Sequence, residues 1–508
     1  MNFYDMAESY IGAIDQGTVG SRFMLFDHDG NGVVDTHDSH EQIHPKSGWD
    51  EHDATEIWER TKTAVRSGLD NADFGVEAID AIGIANQRET AVVWDALTGE
   101  PIYNAIVWRD RRTTDRIEEL EAAGKADWIQ EKTGVKPDAY FSATKVEWIL
   151  DTVDGARERA EAGDLRMGTI DSWLIYNLTG EHVTDVSNAS RTMLYNIYEM
   201  EWDDELLAEF GVPKSMLPTV RPSSDDDYYG YTAADGFLGA EVPVTGALGD
   251  QQAALVGQAC FDTGQAKKTY GTGSFFLMNT GEEAVESDHG LITTISYQLA
   301  DEPVQYALEG AVFITGAAVE WLGDVGLSKT AAHTAKLARS VDSTDGVYLV
   351  PAFAGLGAPH WDRRARGTVV GITRGTRREH LVRATLEAIA YQTRDVAEAM
   401  ERDSGRELTT IRIDGSLSRN NFLSQLQSNI VQTTIERSLT DETTALGAAY
   451  MAGLAVDYWE SIDDFRNNWQ VDREFSPELD AGEADRLYDR WNEAVERAKH
   501  WAAESYTQ

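Results

Sequence analysis

The strongest constraint on the fold is a glycine-containing turn between two apolar strands that occurs twice in the chain. The first copy spans residues 11–26, with its turn at residues 15–22, and the second spans residues 266–278, with its turn at residues 271–274. Glycine lets backbone N–H groups approach an anion, and hydroxyl and guanidinium groups add further donors. Each copy is therefore a candidate phosphate-binding turn, although glycine-rich hairpins often only reverse the chain.

The duplication predicts the fold class and the domain organisation. In each half a strand–turn–strand start is followed by α/β segments, which favours an α/β fold of two duplicated actin-like ATPase (ribonuclease H-like) domains with a catalytic cleft between them. A chain of 508 residues is long enough for two large domains. We place the boundary near residue 258, which gives an N-terminal domain at 1–258 and a C-terminal domain at 259–508.

The composition indicates a folded and strongly acidic protein. Its 87 Asp and Glu residues against 44 Lys and Arg give a formal net charge of -43, and 42% of its residues are hydrophobic. Such a surface repels nucleic acids and anionic membranes, which excludes those partners. Because the acidic residues are spread along the whole chain, we predict adaptation to a salt-rich cytoplasm, where ions screen the repulsion.

Three observations predict a cytoplasmic protein. Asp5, Glu8 and Asp15 precede any long apolar run, so no signal-peptide pattern is visible. No run of about 18 apolar residues occurs, so neither a transmembrane helix nor membrane insertion is expected. The single cysteine, Cys260, rules out an intrachain disulfide framework and is expected to be a buried thiol.

Polar residues cluster where predicted strands end, which is where α/β folds bind ligands. Asp15 ends the first strand and could organise Mg²⁺ through water. The strand at 81–85 leads into the polar residues 86–90, and the strand at 242–248 leads to Asp250, near the start of a helix. From the residues alone, Asp250 is either a catalytic carboxylate or a helix N-cap, which is a frequent role for Asp.

The chain resembles the FGGY carbohydrate kinase family from about residue 10 to residue 470, and in particular its glycerol-phosphorylating members. The motifs occur in family order, at residues 15–18 (DQGT), 45–49 (PKSGW), 86–90 (NQRET), 104–108 (NAIVW), 249–255 (GDQQAAL), 270–273 (YGTG), 351–359 (PAFAGLGAP) and 444–450 (TALGAAY). The chain has neither a P-loop pattern nor a dinucleotide fingerprint, so a nucleotide would have to be held by separated turns.

The resemblance implies an enzyme that transfers a phosphoryl group from ATP to glycerol, giving sn-glycerol 3-phosphate in the entry step of glycerol catabolism. It implies ATP and Mg²⁺ as cofactors, glycerol as the partner substrate, and a homodimer or homotetramer. It also assigns polyol and phosphate binding to the N-terminal domain and nucleotide binding to the C-terminal domain. Since an ordinary Asp is a weak base at neutral pH, much of the catalysis would come from positioning and charge neutralisation.

The resemblance further implies roles for individual residues. Asp250 is expected to be the general base, and Asp15 is expected to hold Mg²⁺ through water. The implied polyol-binding set is Arg88, Glu89, Trp108, Tyr140, Asp250, Gln251 and Phe275. The implied nucleotide-binding set is Thr18, Val19, Gly20, Arg22, Thr272, Gly316, Glu320, Ser416 and Asn420. The polyol set suits a triol, because charged and amide groups can bind its hydroxyls while aromatic faces pack against its C–H groups.

Four positions depart from the family pattern, all of them on the nucleotide side. Val19 and Gly20 stand where family members usually have hydroxyl residues, which removes two phosphate contacts. Ser416 adds a side chain to a loop that is normally glycine-rich, and Glu320 stands where Gln is common. Because a carboxylate repels a polyphosphate, these changes predict an altered nucleotide affinity.

Two other functions stay open at this stage. One is the same chemistry on another small polyol or sugar, against which the matching polyol set argues. The other is a catalytically weak relative that binds glycerol or nucleotide as a sensor. The retained residues Asp15, Thr18, Arg22, Asp250 and Thr272 argue against that second alternative.

Overall fold

The computed structural model describes residues 9–502, which form two compact units. The first unit consists of the chain up to Ala259 together with Thr294–Tyr306 and Glu442–Trp469. The second consists of Cys260–Thr293, Ala307–Asp441 and the chain from Gln470 onward. The units are therefore discontinuous in sequence, and the assignment of binding functions to residues 1–258 and 259–508 stays a prediction.

Strands and helices alternate along the chain. The strands are β1 (Tyr10–Gly17), β2 (Gly20–Phe26), β3 (Gly32–Ser39), β4 (Glu51–His52), β5 (Ile79–Asn86), β6 (Val92–Asp95), β7 (Ala105–Ile106), β8 (Leu165–Gly168), β9 (Val183–Asp185), β10 (Tyr195–Asn196), β11 (Glu201–Trp202), β12 (Thr219–Arg221), β13 (Gly230–Tyr231), β14 (Pro243–Gly249), β15 (Gln265–Tyr270), β16 (Ser274–Gly281), β17 (Ile292–Tyr297), β18 (Gln305–Val312), β19 (Tyr348–Val350), β20 (Thr368–Val370), β21 (Thr410–Gly415), β22 (Thr434–Ser438) and β23 (Val471–Phe475). The α-helices are α1 (Ala54–Asn71), α2 (Thr114–Ala122), α3 (Ala126–Thr133), α4 (Ser142–Thr152), α5 (Ala156–Ala162), α6 (Ile170–Thr179), α7 (Val186–Ala189), α8 (Asp204–Phe210), α9 (Asp250–Gly257), α10 (Gly316–Asp324), α11 (Ala331–Ala338), α12 (Arg378–Ser404), α13 (Asn421–Val431), α14 (Thr443–Leu454), α15 (Ile462–Asn468) and α16 (Ala481–Ala498). Short 3-10 helices lie at Val76–Ala78, Lys214–Met216 and Ser416–Arg419.

The first unit is built on a mixed sheet with the strand order β13-β14-β5-β1-β2-β3. Strands β14, β5 and β1 run parallel to one another, and β2 and β3 continue from β1 as antiparallel neighbours. The first predicted turn is the two-residue connection between β1 and β2, where Gly17 pairs with Gly20. Helix α1 packs against β2 and β3, and helix α14 packs against β1, β5 and β14. Strands β1, β2, β5 and β14 are mostly buried because both faces of the sheet are covered there, whereas the edge strand β3 is largely exposed.

The second unit repeats this strand arrangement. Within this unit, strands β16, β15, β21, β22 and β23 are neighbours in this order. The hairpin β15–β16 corresponds to β1–β2, the parallel strands β21 and β22 correspond to β5 and β14, and β23 closes the edge as an antiparallel strand, as β13 does. The repeat confirms the predicted duplicated α/β fold. Its core packs against the long helix α12, where Leu386, Ile389, Val396 and Met400 are buried.

Part of the acidic composition has a local structural role. Asp53 Oδ1 accepts the backbone N–H of Thr55 at 2.8 Å and so caps the N-terminus of α1. Asp203 caps α8 in the same way, and Asp480 caps α16. Such caps satisfy backbone donors that a helix leaves unpaired at its N-terminus, and they place negative charge at the positive end of its dipole.

Two further predictions concern the single cysteine and membrane-spanning helices. Cys260 is buried, as expected, and burial raises the pKa of its thiol to about 12. Between residues 9 and 502 the structure contains no helix with the length and hydrophobicity that spanning a bilayer requires.

Candidate active site

The carboxyl ends of β1, β5 and β14 meet at one edge of the first sheet. Gln16 on β1 pairs with Asn86 on β5, and Asn86 also pairs with Gly249 on β14. The polar residues that follow these strands therefore leave the sheet side by side. This is the edge at which open α/β sheets bind ligands.

Asp250 is the first residue of α9, and its side chain does not cap the helix. Gly249 occupies the N-cap position instead. The Arg88 Nε atom lies 3.1 Å from Asp250 Oδ1, but this oxygen is buried and receives no hydrogen bond from any residue in the described range. The chain can place the two side chains this closely because Gly249 has no side chain: a Cβ there would lie 2.7 Å from Arg88 Cδ. Asp250 thus offers an acceptor oxygen beside a guanidinium.

Charges of alternating sign extend from Asp250 into the protein. Glu89 Oε1 lies 4.0 Å from Arg88 Nε and accepts a 2.6 Å hydrogen bond from Arg191 Nε. The side chains of Glu89 and Arg191 are at most 1% exposed. Gln252, on the same helix as Asp250 and Gln251, accepts from Arg88 Nη1 at 3.3 Å. Glu89 has a φ of 60°, a left-handed conformation that costs a non-glycine residue about 1–3 kcal/mol and is often found at functional sites.

Trp108 and Tyr140 form an aromatic corner in the same unit. Their ring centroids are 5.6 Å apart with planes at 81°. The Arg191 guanidinium lies 5.7 Å from the Tyr140 ring centroid, which links this corner to the charged cluster. The carbonyl oxygens of Ala139, Tyr140 and Phe141 all accept hydrogen bonds from the buried Lys145 Nζ, at 2.6–2.9 Å. The loop that carries Tyr140 is therefore tied to helix α4.

The first turn is shaped by its neighbours. Thr18 and Val19 form its tip, and the side chain of Val19 is 59% exposed. Gly20 has a steric reason to lack a side chain, because a Cβ there would lie 2.6 Å from the backbone oxygen of Asp38 on β3. Arg22 is paired with Glu442, and its Nε atom lies 3.5 Å from Asp35 Oδ1. Much of the positive charge of Arg22 is thus already neutralised by carboxylates of the first unit.

Asp15 is the residue at this edge that could hold a metal ion. Burial and the neighbouring Asp250 carboxylate raise the pKa of Asp15 to about 7, while Arg22 acts in the opposite direction. A divalent cation would favour the ionised carboxylate and offset both effects. Residues 9–502 contain no group of three or more His, Cys, Asp or Glu side chains arranged to hold a metal. A Mg²⁺ ion held by one or two carboxylates, with phosphate and water as its other ligands, fits this donor set.

In the second unit, Thr272 and Gly316 come together. The turn between β15 and β16 lies against the N-terminus of α10, where Thr272 O accepts the N–H of Ala317 at 3.0 Å and Gly271 O accepts the N–H of Gly316 at 3.2 Å. Phe275 lies on β16 of this unit, opposite Thr269, and so does not belong to the group of polyol-set residues in the first unit. The turn that carries Thr272 is thus anchored by helix α10.

The other nucleotide-set residues follow the strand beside β15. Gly415 at the end of β21 pairs with Tyr270, so Ser416 leaves the sheet at the same edge as the turn at 271–273. Asn420 caps α13, because its Oδ1 accepts the N–H groups of Phe422 and Leu423 at 3.2 Å. Glu320 is an exposed residue of α10. Arg419 is paired with Asp441.

Three residues at the site were missed by the sequence reasoning: Arg191, Gln252 and Lys145. Arg191 and Lys145 are distant in sequence from every motif, and only the fold brings them to Glu89 and Tyr140. Gln252 lies within the motif at 249–255, but residues two apart on a helix do not face each other, so its spacing from Asp250 did not indicate that it would contact Arg88.

Comparisons with known proteins identify the family. The N-terminal domain of the FGGY family of carbohydrate kinases matches residues 10–257, and the C-terminal domain of the same family matches residues 266–456. The chain belongs to the FGGY family of carbohydrate kinases. This membership agrees with the duplicated fold and with the family motifs at the two turns.

Individual FGGY kinases match along nearly the whole chain. A glycerol kinase of Haloarcula marismortui is 66% identical over 509 residues, which covers 98% of this chain and 100% of the relative. A glycerol kinase of Geobacillus kaustophilus is 56% identical and covers 96% of this chain and 99% of its own length. Among solved structures, Plasmodium falciparum glycerol kinase with ADP matches with a TM-score of 0.92 at 38% identity, covering 97% of this chain and 98% of that one.

Proposed function

We propose that this protein transfers the γ-phosphoryl group of ATP to a terminal hydroxyl of glycerol, giving sn-glycerol 3-phosphate. The observation that carries the proposal is the placement of Asp250 beside Arg88 and Glu89, at the sheet edge that also carries Asp15. The 66% identity to a glycerol kinase over the whole chain supports glycerol as the substrate. The ADP in the Plasmodium falciparum glycerol kinase structure supports an adenine nucleotide as the donor.

In this proposal the buried oxygen of Asp250 accepts the proton of the attacking hydroxyl. Arg88 and Glu89 bind the neighbouring hydroxyls, since a guanidinium donates and a carboxylate accepts hydrogen bonds. Trp108 and Tyr140 pack against the carbon skeleton, with Gln251 as a further polar contact. Arg88 also lies close enough to Asp250 to form an ion pair with it. Phe275 is proposed as an apolar contact from the second unit.

Thr18, Arg22 and the backbone of Val19 and Gly20 are proposed to hold the phosphates from the first unit. Thr272, Gly316, Ser416 and Asn420 are proposed to hold the nucleotide from the second unit, with Glu320 nearby. Asp15 would hold Mg²⁺ through water, and when bound the ion would neutralise charge on the phosphates. Excluding water around these groups would limit ATP hydrolysis.

The test is glycerol-dependent release of ADP in molar KCl with Mg²⁺ and ATP. We expect turnover that requires glycerol, and we expect Asp250→Asn to lower kcat by about 10²-fold or more, the range for loss of a general base. Asp226→Asn removes an exposed carboxylate of the same unit and serves as the matched control. If Asp250→Asn turned over as fast as the control, Asp250 could not be the base. If the protein bound glycerol but released no ADP from ATP, it would be a sensor.

A further inference from the structure

We propose that Trp108 and Gln42 are positioning residues that orient Thr18 toward the transferring phosphate, so that one aromatic side chain serves both substrates. This inference rests on the proposed function, because it assigns phosphate binding to Thr18 and polyol binding to Trp108. Gln42 belongs to no family motif identified in the sequence.

The first observation is the hydrogen bond that fixes the Thr18 hydroxyl. Trp108 Nε1 donates to Thr18 Oγ1 at 3.0 Å. An indole N–H can only donate, so the hydroxyl must accept in this bond, and its own proton stays available to donate elsewhere. No residue between 9 and 502 accepts a hydrogen bond from this hydroxyl in the structure. The Thr18 hydroxyl can therefore still donate its proton to an anion at the turn.

The second observation is that Trp108 is itself held by the sheet edge. Its backbone N–H donates to Thr90 Oγ1 at 3.2 Å, and Thr90 Oγ1 donates to Gln87 Oε1 at 2.9 Å. Gln87 Nε2 in turn donates to Gln16 Oε1 at 3.0 Å. The indole and the turn therefore share one connected set of hydrogen bonds, which limits their relative movement.

The third observation is that Gln42 holds the backbone of the same turn. Gln42 Nε2 donates to the carbonyl oxygen of Thr18 at 2.9 Å. The orientation of the Gln42 amide is defined, because its oxygen accepts from Arg109 Nη2 at 3.0 Å and Arg can only donate. His52 Nε2 also lies 3.1 Å from this oxygen, and burial lowers the pKa of His52 to about 3. A neutral His52 therefore donates from Nε2.

The neighbouring residues explain why phosphate binding should depend strongly on the Thr18 hydroxyl. Val19 and Gly20, beside Thr18 in the turn, have no side-chain hydroxyl. Arg22 is engaged by Glu442 and Asp35. Since few neutral or positive donors are left at the tip, the orientation of Thr18 should decide how well the phosphates bind. A glycerol molecule packed against Trp108 would hold the indole, and so Thr18, in place.

A double-mutant cycle tests the coupling. Trp108→Phe keeps an aromatic ring but removes the N–H, and Thr18→Val removes the hydroxyl with little change in size. We expect Trp108→Phe to lower kcat/KM for ATP about tenfold at saturating glycerol, and to change it less than about twofold in the Thr18→Val background, as expected for residues that act through each other. Trp58→Phe, on helix α1 against Phe237, is the control for loss of an indole.

A single substitution with a matched control tests the role of Gln42. Gln42→Leu removes the bond to the Thr18 carbonyl, and we expect it to raise KM for ATP several-fold while KM for glycerol stays within about twofold. Gln305→Leu removes a partly exposed amide of the same unit that, among residues 9–502, bonds only to the Pro303 carbonyl oxygen, and it should change neither constant. A variant with raised KM for both substrates would indicate a general structural defect and would overturn the role of Gln42 in positioning.

The outcomes separate this inference from the proposed function. A wild-type protein without glycerol-dependent ADP release would contradict the proposed function itself. If the wild type is active and Trp108→Phe has the same effect whether or not Thr18 keeps its hydroxyl, only the coupling is contradicted. Independent sites give additive effects.

Discussion

Glu89 is the residue whose surroundings most clearly limit what the site can bind. Its carboxylate is 1% exposed and lies between the guanidinium groups of Arg88 and Arg191. A buried charge is costly unless it is paired, and both arginines pair with Glu89, so its carboxylate can accept a hydrogen bond from a ligand hydroxyl. The strained backbone of Glu89 is consistent with a side chain held for function.

This arrangement predicts a specific effect of Arg191. Arg191→Lys keeps the positive charge but loses the planar fork that holds Glu89 Oε1, so we expect KM for glycerol to rise about tenfold while KM for ATP changes little. Steady-state kinetics with each substrate varied in turn measures the two constants. Arg394→Lys is the matched control, since Arg394 is a partly buried arginine paired with Glu398 in the second unit. An unchanged KM for glycerol would show that Arg191 does not act through Glu89.

A second residue-scale prediction concerns pH and Lys145. Burial lowers the pKa of Lys145 to about 7 from its ordinary value of 10.5, with Glu89 acting in the opposite direction. Between these two pH values the unfolded state binds more protons than the folded state, so stability from this group rises with pH. We expect the free energy of unfolding of the wild type, relative to Lys145→Met, to increase between pH 7 and pH 9 by up to about 1.4 kcal/mol per pH unit.

Urea unfolding in molar KCl at several pH values measures this slope. Lys136→Met removes an exposed lysine from the same unit and controls for the loss of one positive charge. A wild type and a Lys145→Met variant with parallel pH profiles would mean that burial does not lower the pKa of Lys145.

Single residues also show which parts of the candidate site could be predicted from the sequence. Arg88, Glu89, Trp108, Tyr140, Asp250 and Gln251 were selected by resemblance, and the structure shows how Arg88, Glu89 and Asp250 come together. Arg191 and Lys145 could not be selected, because their roles depend on contacts across 102 residues and across a loop. Asn420 was selected as a nucleotide contact, and its side chain also caps a helix, which local sequence alone could have indicated.

At the scale of elements, the close contact between α9 and α14 supports the position of Asp250. Gly447 on α14 lies against the backbone of α9, where a Cβ would come within 1.9 Å of the Ala253 carbonyl oxygen. Gly257 on α9 meets the backbone of Thr443 in the same way. These contacts explain why the motif at 444–450 consists largely of small residues, as they allow two helices to pack backbone to backbone.

We therefore expect Gly447→Ala to separate the two helices and to destabilise the protein by about 1–3 kcal/mol, the usual cost of overpacking. Thermal unfolding and kcat measured on the same samples test this, and kcat should fall because α9 begins with Asp250. Gly323→Ala is the matched control: Gly323 lies in helix α10, and the nearest atom to its added Cβ is 4.0 Å away. Equal melting temperatures of the two variants would contradict the close contact.

The elements themselves were largely predictable. The two hairpins and the strands β5 and β14 occur where the apolar runs of the sequence place them. The small strand pairs β4–β7, β6–β8 and β9–β12 were not predicted, since each depends on a partner distant in sequence.

For the whole molecule, the net charge of -43 is the dominant property. At low salt the acidic groups repel one another over about 10 Å, whereas in molar salt the screening length falls to about 3 Å. We expect the melting temperature to rise steadily as KCl is raised from about 0.1 M to about 3 M. A sucrose series is the control, because it strengthens burial without screening charge. Equal stability at low and molar KCl would contradict adaptation to salt.

The measurement that tests the central claim most directly is the identity of the phosphorylated product. Protein, ATP, Mg²⁺ and glycerol would be incubated in molar KCl and followed by ³¹P nuclear magnetic resonance, with Asp250→Asn beside the wild type. The account predicts that the γ-phosphate signal of ATP is converted to that of glycerol 3-phosphate by the wild type and not by the variant. Conversion to inorganic phosphate alone, or glycerol 3-phosphate formed equally by the variant, would contradict it.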